Sequence, residues 1–296
     1  EPQLPVPPPY VDYIASIQKL HRPDEASFWK ESLGGVDELA RLDLKPESTT
    51  SKTEAAEFNE VDQYLSPGLS DQLRQTAQSH RLTLNTLMQG MWALILARYS
   101  GRPDVVFGVT VSGRAMDLEG IESMVGLFIN TLPIRLSVDS NVSMLDFLRS
   151  VQARQSALSQ YEHSRLSDVL KWSEMPAGQS LMESILVFEN YPIDESLSDK
   201  GSLSFKVNNV QSIERTNFPI AFYVTPGQEI HLRLVFRSDQ FRTEAMQRII
   251  EHAPVLLKSM VDGVESPVSE SVLMTKETAE SMFSNWNQTE EPYDAR

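Results

Sequence analysis

Residues 104–139 read DVVFGVTVSGRAMDLEGIESMVGLFINTLPIRLSVD, and the architecture follows from this stretch. Val105–Val111 is a nearly unbroken run of apolar β-formers with Gly108 as its one small residue, the pattern of a strand buried on both faces. Ser112-Gly113-Arg114 ends the run and brings a hydroxyl and a guanidinium to the strand end. An acidic helical turn follows over Asp117–Glu122. The chain returns through Val125–Thr131, and Leu132–Val138 predicts a second strand, with Pro133 tolerable near its start. Two such strands bring Arg114 and Asn130 into one neighbourhood. Periodicity alone does not decide whether these polar residues form a site or only cap ends and turns.

On either side of this pair, helical and strand patterns alternate. Toward the N-terminus, Leu84–Tyr99 is apolar over most of its circumference, so it predicts a buried helix, with Thr83 as its N-cap. Trp92 and the methionines beside it read as core rather than as a ligand box. Leu69–His80 carries a narrower apolar stripe. Ala56–Leu65 alternates as a strand, and Tyr10–Leu20 and Asp24–Leu33 read as short amphipathic helices. Toward the C-terminus, Ser143–Gln160 and Leu166–Trp172 predict helices. Ser184–Tyr191, Leu203–Ser212, Phe218–Thr225 and Glu229–Arg237 predict strands, the last two joined by the turn dipeptide Pro226-Gly227. Thr243–Val261 predicts a helix that Pro254 kinks or splits. The fold class expected is α/β: a two-layer sandwich of a mixed β-sheet with helices on one face.

Composition narrows the function classes. The chain has 296 residues, 26 Lys+Arg against 41 Asp+Glu, and a formal charge of −15. That balance argues against nucleic acid or an anionic membrane as partner. The sequence contains no cysteine, which excludes disulfides, thiolate metal sites and cysteine nucleophiles, and is compatible with a cytoplasmic location. No basic-then-apolar signal opens the chain. The longest apolar stretch, Leu82–Tyr99, is interrupted by Asn85, Gln89 and Arg98. No dinucleotide or phosphate loop and no internal repeat is present. The histidines, His21, His80, His163, His231 and His252, are scattered without metal-ligand spacing, so no metal site is expected. Ser112 has neither a base nor an orienting group in evidence and is a poor nucleophile.

Four blocks, in this order and spacing, carry a family resemblance: VVFGVTVSGR (105–114), GIESMVGLFINTLPIR (120–135), YEHSRL (161–166) and VFENYP (187–192). Together they resemble the C-terminal lobe of a condensation domain from a nonribosomal peptide synthetase, a fold of the chloramphenicol-acetyltransferase type. Weaker matches extend it. Tyr10-Val11-Asp12-Tyr13 resembles the family's Tyr-Asp-Tyr stretch after the lobe hinge, and Glu214–Pro219 falls where its last Arg/Asn-rich motif lies. The resemblance then implies three segments: a proline-rich inter-lobe crossing at 1–9, the lobe itself at 10–261, and a linker toward an adenylation domain at 262–296.

The resemblance also implies the chemistry. The amine of an acceptor aminoacyl thioester attacks a donor acyl or peptidyl thioester, both carried on 4′-phosphopantetheine arms of carrier domains. No cofactor is expected to bind the lobe directly. The partners implied are the N-terminal lobe, the upstream and downstream carriers, and the adjacent adenylation domain. The family's His-His-x-x-x-Asp-Gly motif, whose second histidine is linked to catalysis, does not occur in this sequence. The chain is therefore expected to hold no catalytic residue of its own and to be inactive alone.

Arg114 is expected to pair with the aspartate of that motif, because a guanidinium compensates a loop-ordering carboxylate with two hydrogen bonds. In this chain it is expected to stand without its partner. Asn130 is expected to hold a substrate carbonyl or amine, and its alternative is a bond to its local turn. Ser112, Gly113 and His163 are expected near the tunnel, with Gly113 letting backbone approach the substrate arm. Tyr10 and Asp12 are expected to stitch the lobes together. The lobe-facing surface is expected to be unusually apolar. The competing expectations are a catalytically degenerate condensation-like module that recruits proteins, an epimerisation domain, and a coenzyme-A-dependent acyltransferase of the same wider fold. The last would need its own histidine motif.

Overall fold

The computed structural model describes residues 6–20, 22–36, 39–45, 57–173, 175, 180–189 and 216–286. In chain order the elements are α1 (Tyr10–Lys19), α2 (Glu25–Leu33), β1 (Phe58–Tyr64), α3 (Pro67–His80), α4 (Leu84–Ser100), β2 (Asp104–Val111), β3 (Asn130–Ser137), α5 (Met144–Ser159), α6 (Leu166–Trp172), β4 (Ser184–Phe188), β5 (Ile220–Thr225), β6 (His231–Arg237), α7 (Thr243–Asp262) and α8 (Lys276–Trp286). The strands form a six-stranded mixed sheet in the order β1-β6-β5-β4-β2-β3. β2 runs parallel to β4 and β4 parallel to β5, while β2–β3, β5–β6 and β1–β6 are antiparallel.

The strand pleat explains the two layers, since alternate side chains point to opposite faces. Phe107, Val109, Ile134, Leu186, Phe222, Leu234 and Phe236 share one core with residues of α3, α4, α5 and α7. The opposite face carries a smaller apolar cluster of Ile185, Ala221, Tyr223 and Val235. Between Leu87 and Ala97 every residue of α4 is buried, which is why its sequence lacks a polar stripe. Fully burying each large apolar side chain contributes about 1.5–3 kcal/mol. Trp92 stacks on Phe222 with centroids 5.0 Å apart and donates its indole N–H to Ser184 Oγ at 3.1 Å, so α4 is fastened to β4 and β5. Thr83 caps α4 as expected, accepting from the Thr86 amide at 3.0 Å.

β2 and β3 form the expected pair, with Val111 opposite Asn130 and Asp104 opposite Ser137. β3 begins two residues earlier than the sequence pattern suggests, because Asn130 and Thr131 join the ladder. Far from the Arg114 end, the Arg135 guanidinium grips the Asp104 carboxylate, Nε to Oδ1 at 2.9 Å, and its Nη1 donates to Gly34 O at 2.5 Å.

One expectation changes. Pro254 does not split the last long helix: α7 is continuous from Thr243 to Asp262. The cost of one missing backbone bond and a ring clash, ~3 kcal/mol, is outweighed by the stripe around it, where Ile249, Ile250, Ala253, Leu256 and Leu257 are all buried. The packed body also continues past Asp262. Val268 is buried, and its amide donates to Val142 O at 2.9 Å. The expected strand Leu203–Ser212, the end of the VFENYP block and the Glu214-Arg215 match lie outside the described residues.

Candidate functional site

The Arg114 and Asn130 ends of β2 and β3 meet at the end of the sheet where parallel strands β2, β4 and β5 finish. In α/β sheets that end is where loops assemble sites. A separate apolar cluster of Tyr13, Ile121, Met124 and Phe128 caps it, with Tyr10 and Ile17 packed against it. Thus α1, at one extreme of the sequence, is seated on the loop between β2 and β3.

Gly113 is the pivot. Its φ is +66°, and a Cβ there would overlap the carbonyl of Phe128. Only glycine tolerates both conditions. Within this chain the close neighbour of Gly113 is the Phe128 carbonyl. The Gly113 amide donates to Glu162 Oε2 at 3.0 Å, the Ser112 hydroxyl bonds the same carboxyl group, and the Gly113 carbonyl accepts from the Tyr13 hydroxyl at 3.1 Å. Burial pushes the Glu162 carboxyl above the ordinary carboxylate range, and the bonds from Gly113 and Ser112 partly offset this.

Arg114 is not without partners. Its guanidinium donates to Ile121 O and, at 3.1 Å, to Met124 O, and it lies over the Phe128 ring at 3.9 Å. The short 3-10 turn at Ile121–Ser123 presents both carbonyls to the strand end, the Ile121 carbonyl also accepting from the Met124 amide at 3.3 Å, and the fork of an arginine suits two acceptors at once. These contacts are made within the chain and are separate from the expected pairing with the motif aspartate.

Asn130 uses both amide hydrogens, donating to Glu162 O at 2.9 Å and Ser164 O at 2.8 Å, while its oxygen accepts from the Thr131 amide at 2.9 Å. It clamps the α5–α6 connection onto the start of β3. No amide hydrogen is left for a substrate carbonyl. Its backbone partners lie on a distant connection rather than only in its own turn.

His163 Nδ1 lies 3.3 Å from the Tyr13 hydroxyl. Burial, with Arg22 nearby, holds its imidazole below the ordinary histidine value. Tyr10 donates to Leu127 O at 2.5 Å, and its ring lies where a Cβ on Gly126 would be. Tyr10 thus stitches α1 to the β2–β3 loop inside this chain. Asp12 is exposed in the first turn of α1. Glu162 and Tyr13 bind the strand end most directly, and the sequence reading does not single either of them out within its block. A carboxylate set between Tyr161 and His163 is the available signal for Glu162.

Among the described residues no group of three or more His, Cys, Asp or Glu side chains could hold a metal. Among them, too, no helix is long and apolar enough to cross a membrane. A family model for the condensation domain matches residues 1–283. The chain belongs to the condensation-domain family. It is 37% identical over 284 residues to one of the linear gramicidin synthase proteins of Brevibacillus parabrevis, covering 96% of this chain and 6% of that one. Chondramide synthase of Chondromyces crocatus is 35% identical, with 95% of this chain and 7% of the synthase covered. The chain thus spans a small fraction of the length of these relatives.

Solved structures agree on the fold. The four-domain nonribosomal peptide synthetase holo-AB3403 matches with a TM-score of 0.75 at 17% identity, over 91% of this chain and 22% of that one. The X-domain from teicoplanin biosynthesis matches with a TM-score of 0.70 at 18% identity, over 89% of this chain and 60% of that one. The α/β architecture, a mixed sheet with a helical layer, is that of condensation domains and is chloramphenicol-acetyltransferase-like.

Proposed function

We propose that this chain is the C-terminal lobe of a nonribosomal peptide synthetase condensation domain and forms one wall of the tunnel in which two carrier-bound thioesters are joined by an amide bond. The observation that carries the reading is the convergence of three of the four family-like blocks, and the Tyr10–Tyr13 stretch, on one end of the sheet. Tyr13, Ser112–Arg114, Asn130 and Glu162–Ser164 hold one another by direct hydrogen bonds there.

Arg114 is the residue proposed to meet the histidine-motif aspartate of a partner lobe. Its stacking on Phe128 and its bonds to Ile121 O and Met124 O fix the plane of the guanidinium, so a further carboxylate would meet a preorganised donor. Beside it the chain exposes Val125, Leu127 and Ile129, which are 77%, 78% and 47% accessible, while Met124 and Phe128 point inward. Three aliphatic side chains on one exposed edge fit a partner lobe.

A thioester is already activated, so holding the two ends together supplies much of the rate. The sequence has no His-His pair, so the group that positions or deprotonates the acceptor amine comes from that other lobe. The substrates arrive on phosphopantetheine arms of carrier domains, in a cytoplasmic synthetase. Arg114→Ala, assayed with loaded donor and acceptor carriers in a domain containing both lobes, is expected to lower product formation by at least about tenfold, equivalent to roughly 1.4 kcal/mol in the barrier. Unchanged product with a folded variant would remove Arg114 from the site.

A further inference from the structure

Beyond α7 the chain folds back on the body and leaves a cavity of about 960 Å³. Small-molecule sites commonly span about 300–1,000 Å³. The cavity is lined by the last turn of α4, by α7 and by residues 263–279. Arg98, in that last turn, comes just before β2 begins, so the cavity lies toward the end of the sheet opposite Gly113.

The Arg98 guanidinium is partly buried in the cavity wall. Its Nη2 donates to Ser271 O at 2.6 Å and Ser271 Oγ at 2.5 Å, with Val268 O at 3.4 Å. All three acceptors are neutral. Burial alone holds its pKa below the ordinary arginine value, and no carboxylate among the described residues is close enough to offset it. An arginine keeps its proton in proteins, so a charge is drawn partly out of water without a counter-ion, which is costly. Its Nε and Nη1 make no hydrogen bond among the described residues, yet neither is sealed from solvent.

The rest of the lining selects what can meet those donors. Val255, Val272, Leu273 and Met274 make the walls mainly apolar. Lys258 holds Asp262 at 2.8 Å, and Lys276 lies 3.7 Å from Glu280. That leaves Arg98 as the cation in the lining without a carboxylate among the described residues. Asp262 and Glu270 would repel a dianion. A cationic ligand would meet Arg98, and an uncharged one would leave it uncompensated.

We infer that this cavity binds a monocarboxylate with an alkyl chain, whose carboxylate accepts from Arg98 and whose chain lies against Val255, Val272, Leu273 and Met274. The site rests on this cavity and is independent of the reaction proposed above. Because residues 271–279 form one wall, the ligand also ties that segment to α4 and α7.

The test is isothermal titration calorimetry of the full chain with octanoate at pH 8, with octanol and acetate as comparisons. Octanoate is expected to bind saturably at one site. Octanol, with the same chain length and no charge, is expected to bind at least about tenfold more weakly, the scale of a lost bond to a charged group. Acetate, without the chain, is expected to give no saturation. Arg98→Met is expected to remove the preference for octanoate over octanol. Should that variant not fold by circular dichroism, Ala279→Glu, which sets a carboxylate in the cavity wall, is expected to weaken octanoate about tenfold by charge repulsion and leave octanol unchanged. No saturation by octanoate, equal binding of octanol, or an undiminished preference in either folded variant would overturn the site.

Discussion

The backbone amide of Gly113 donates to the carboxylate of Glu162 at 3.0 Å, so the end of β2 and the α5–α6 connection are one mechanical unit. Asn130 closes the same unit from β3 through Glu162 O and Ser164 O. Everything proposed for Arg114 depends on this unit, because Arg114 is the next residue along.

Gly113→Ala places a Cβ at positive φ and into the Phe128 carbonyl. Strain and overpacking each cost about 1–3 kcal/mol. The expected loss is at least about 2 kcal/mol in urea unfolding. A loss below about 0.5 kcal/mol would mean that the strand end relaxes freely.

Glu162→Gln keeps an acceptor for the Gly113 amide and removes a buried charge. Because burial raises the folded carboxyl above its unfolded value, the folded chain binds a proton that the unfolded chain does not, between that raised value and about pH 4.3. Wild type therefore gains stability relative to the variant as pH falls through the raised value, and the gain is complete below about pH 4.3. At pH 8 the variant is expected to be at least as stable as wild type. Urea titrations of both proteins at pH 8 and pH 5 measure this difference directly.

Asn130→Ala leaves Glu162 O and Ser164 O without their donor. Each unsatisfied buried acceptor costs about 1–3 kcal/mol, so the melting temperature should fall by several degrees. A neutral effect on stability combined with a large loss of activity would restore a direct substrate role for this side chain.

Arg114→Lys keeps the charge and loses the fork. The two carbonyl bonds and the stacking on Phe128 cannot all be made by an ammonium. A stability loss of about 0.5–1.5 kcal/mol is expected, against a loss of condensation of about tenfold or more. Calorimetry and a carrier-loaded assay on the same preparation separate the two effects.

Leu127→Lys charges the exposed aliphatic edge without touching the core. It is expected to leave the unfolding midpoint within about 0.5 kcal/mol of wild type and to reduce both self-association, read by light scattering, and productive pairing with the other lobe. Unchanged association would place the lobe interface elsewhere.

The elements are legible where hydrophobic period is strong: α4, β2, β3 and α7 all stand within about two residues of their patterns, the usual uncertainty at element ends. Sheet order is not legible, because β4 inserts between β2 and β5, and β1 pairs with a strand far along the chain. No local pattern encodes such pairings. In the site, Arg114 and Asn130 stand out by their position at strand ends, but their partners are backbone carbonyls, which carry no residue signature. Pro254 misleads for a related reason: propensity is local, and the burial that overrides it is not.

On this reading the chain supplies structure to a shared active site and not the catalytic histidine. The deciding experiment is intact-protein mass spectrometry of loaded donor and acceptor carriers, comparing this chain alone with the same chain joined to a lobe bearing the His-His-x-x-x-Asp-Gly motif. Amide product is expected only in the joined form. Product from the chain alone would contradict the assignment, and product from neither form, with carriers competent toward a known condensation domain, would shift it to a recruitment module.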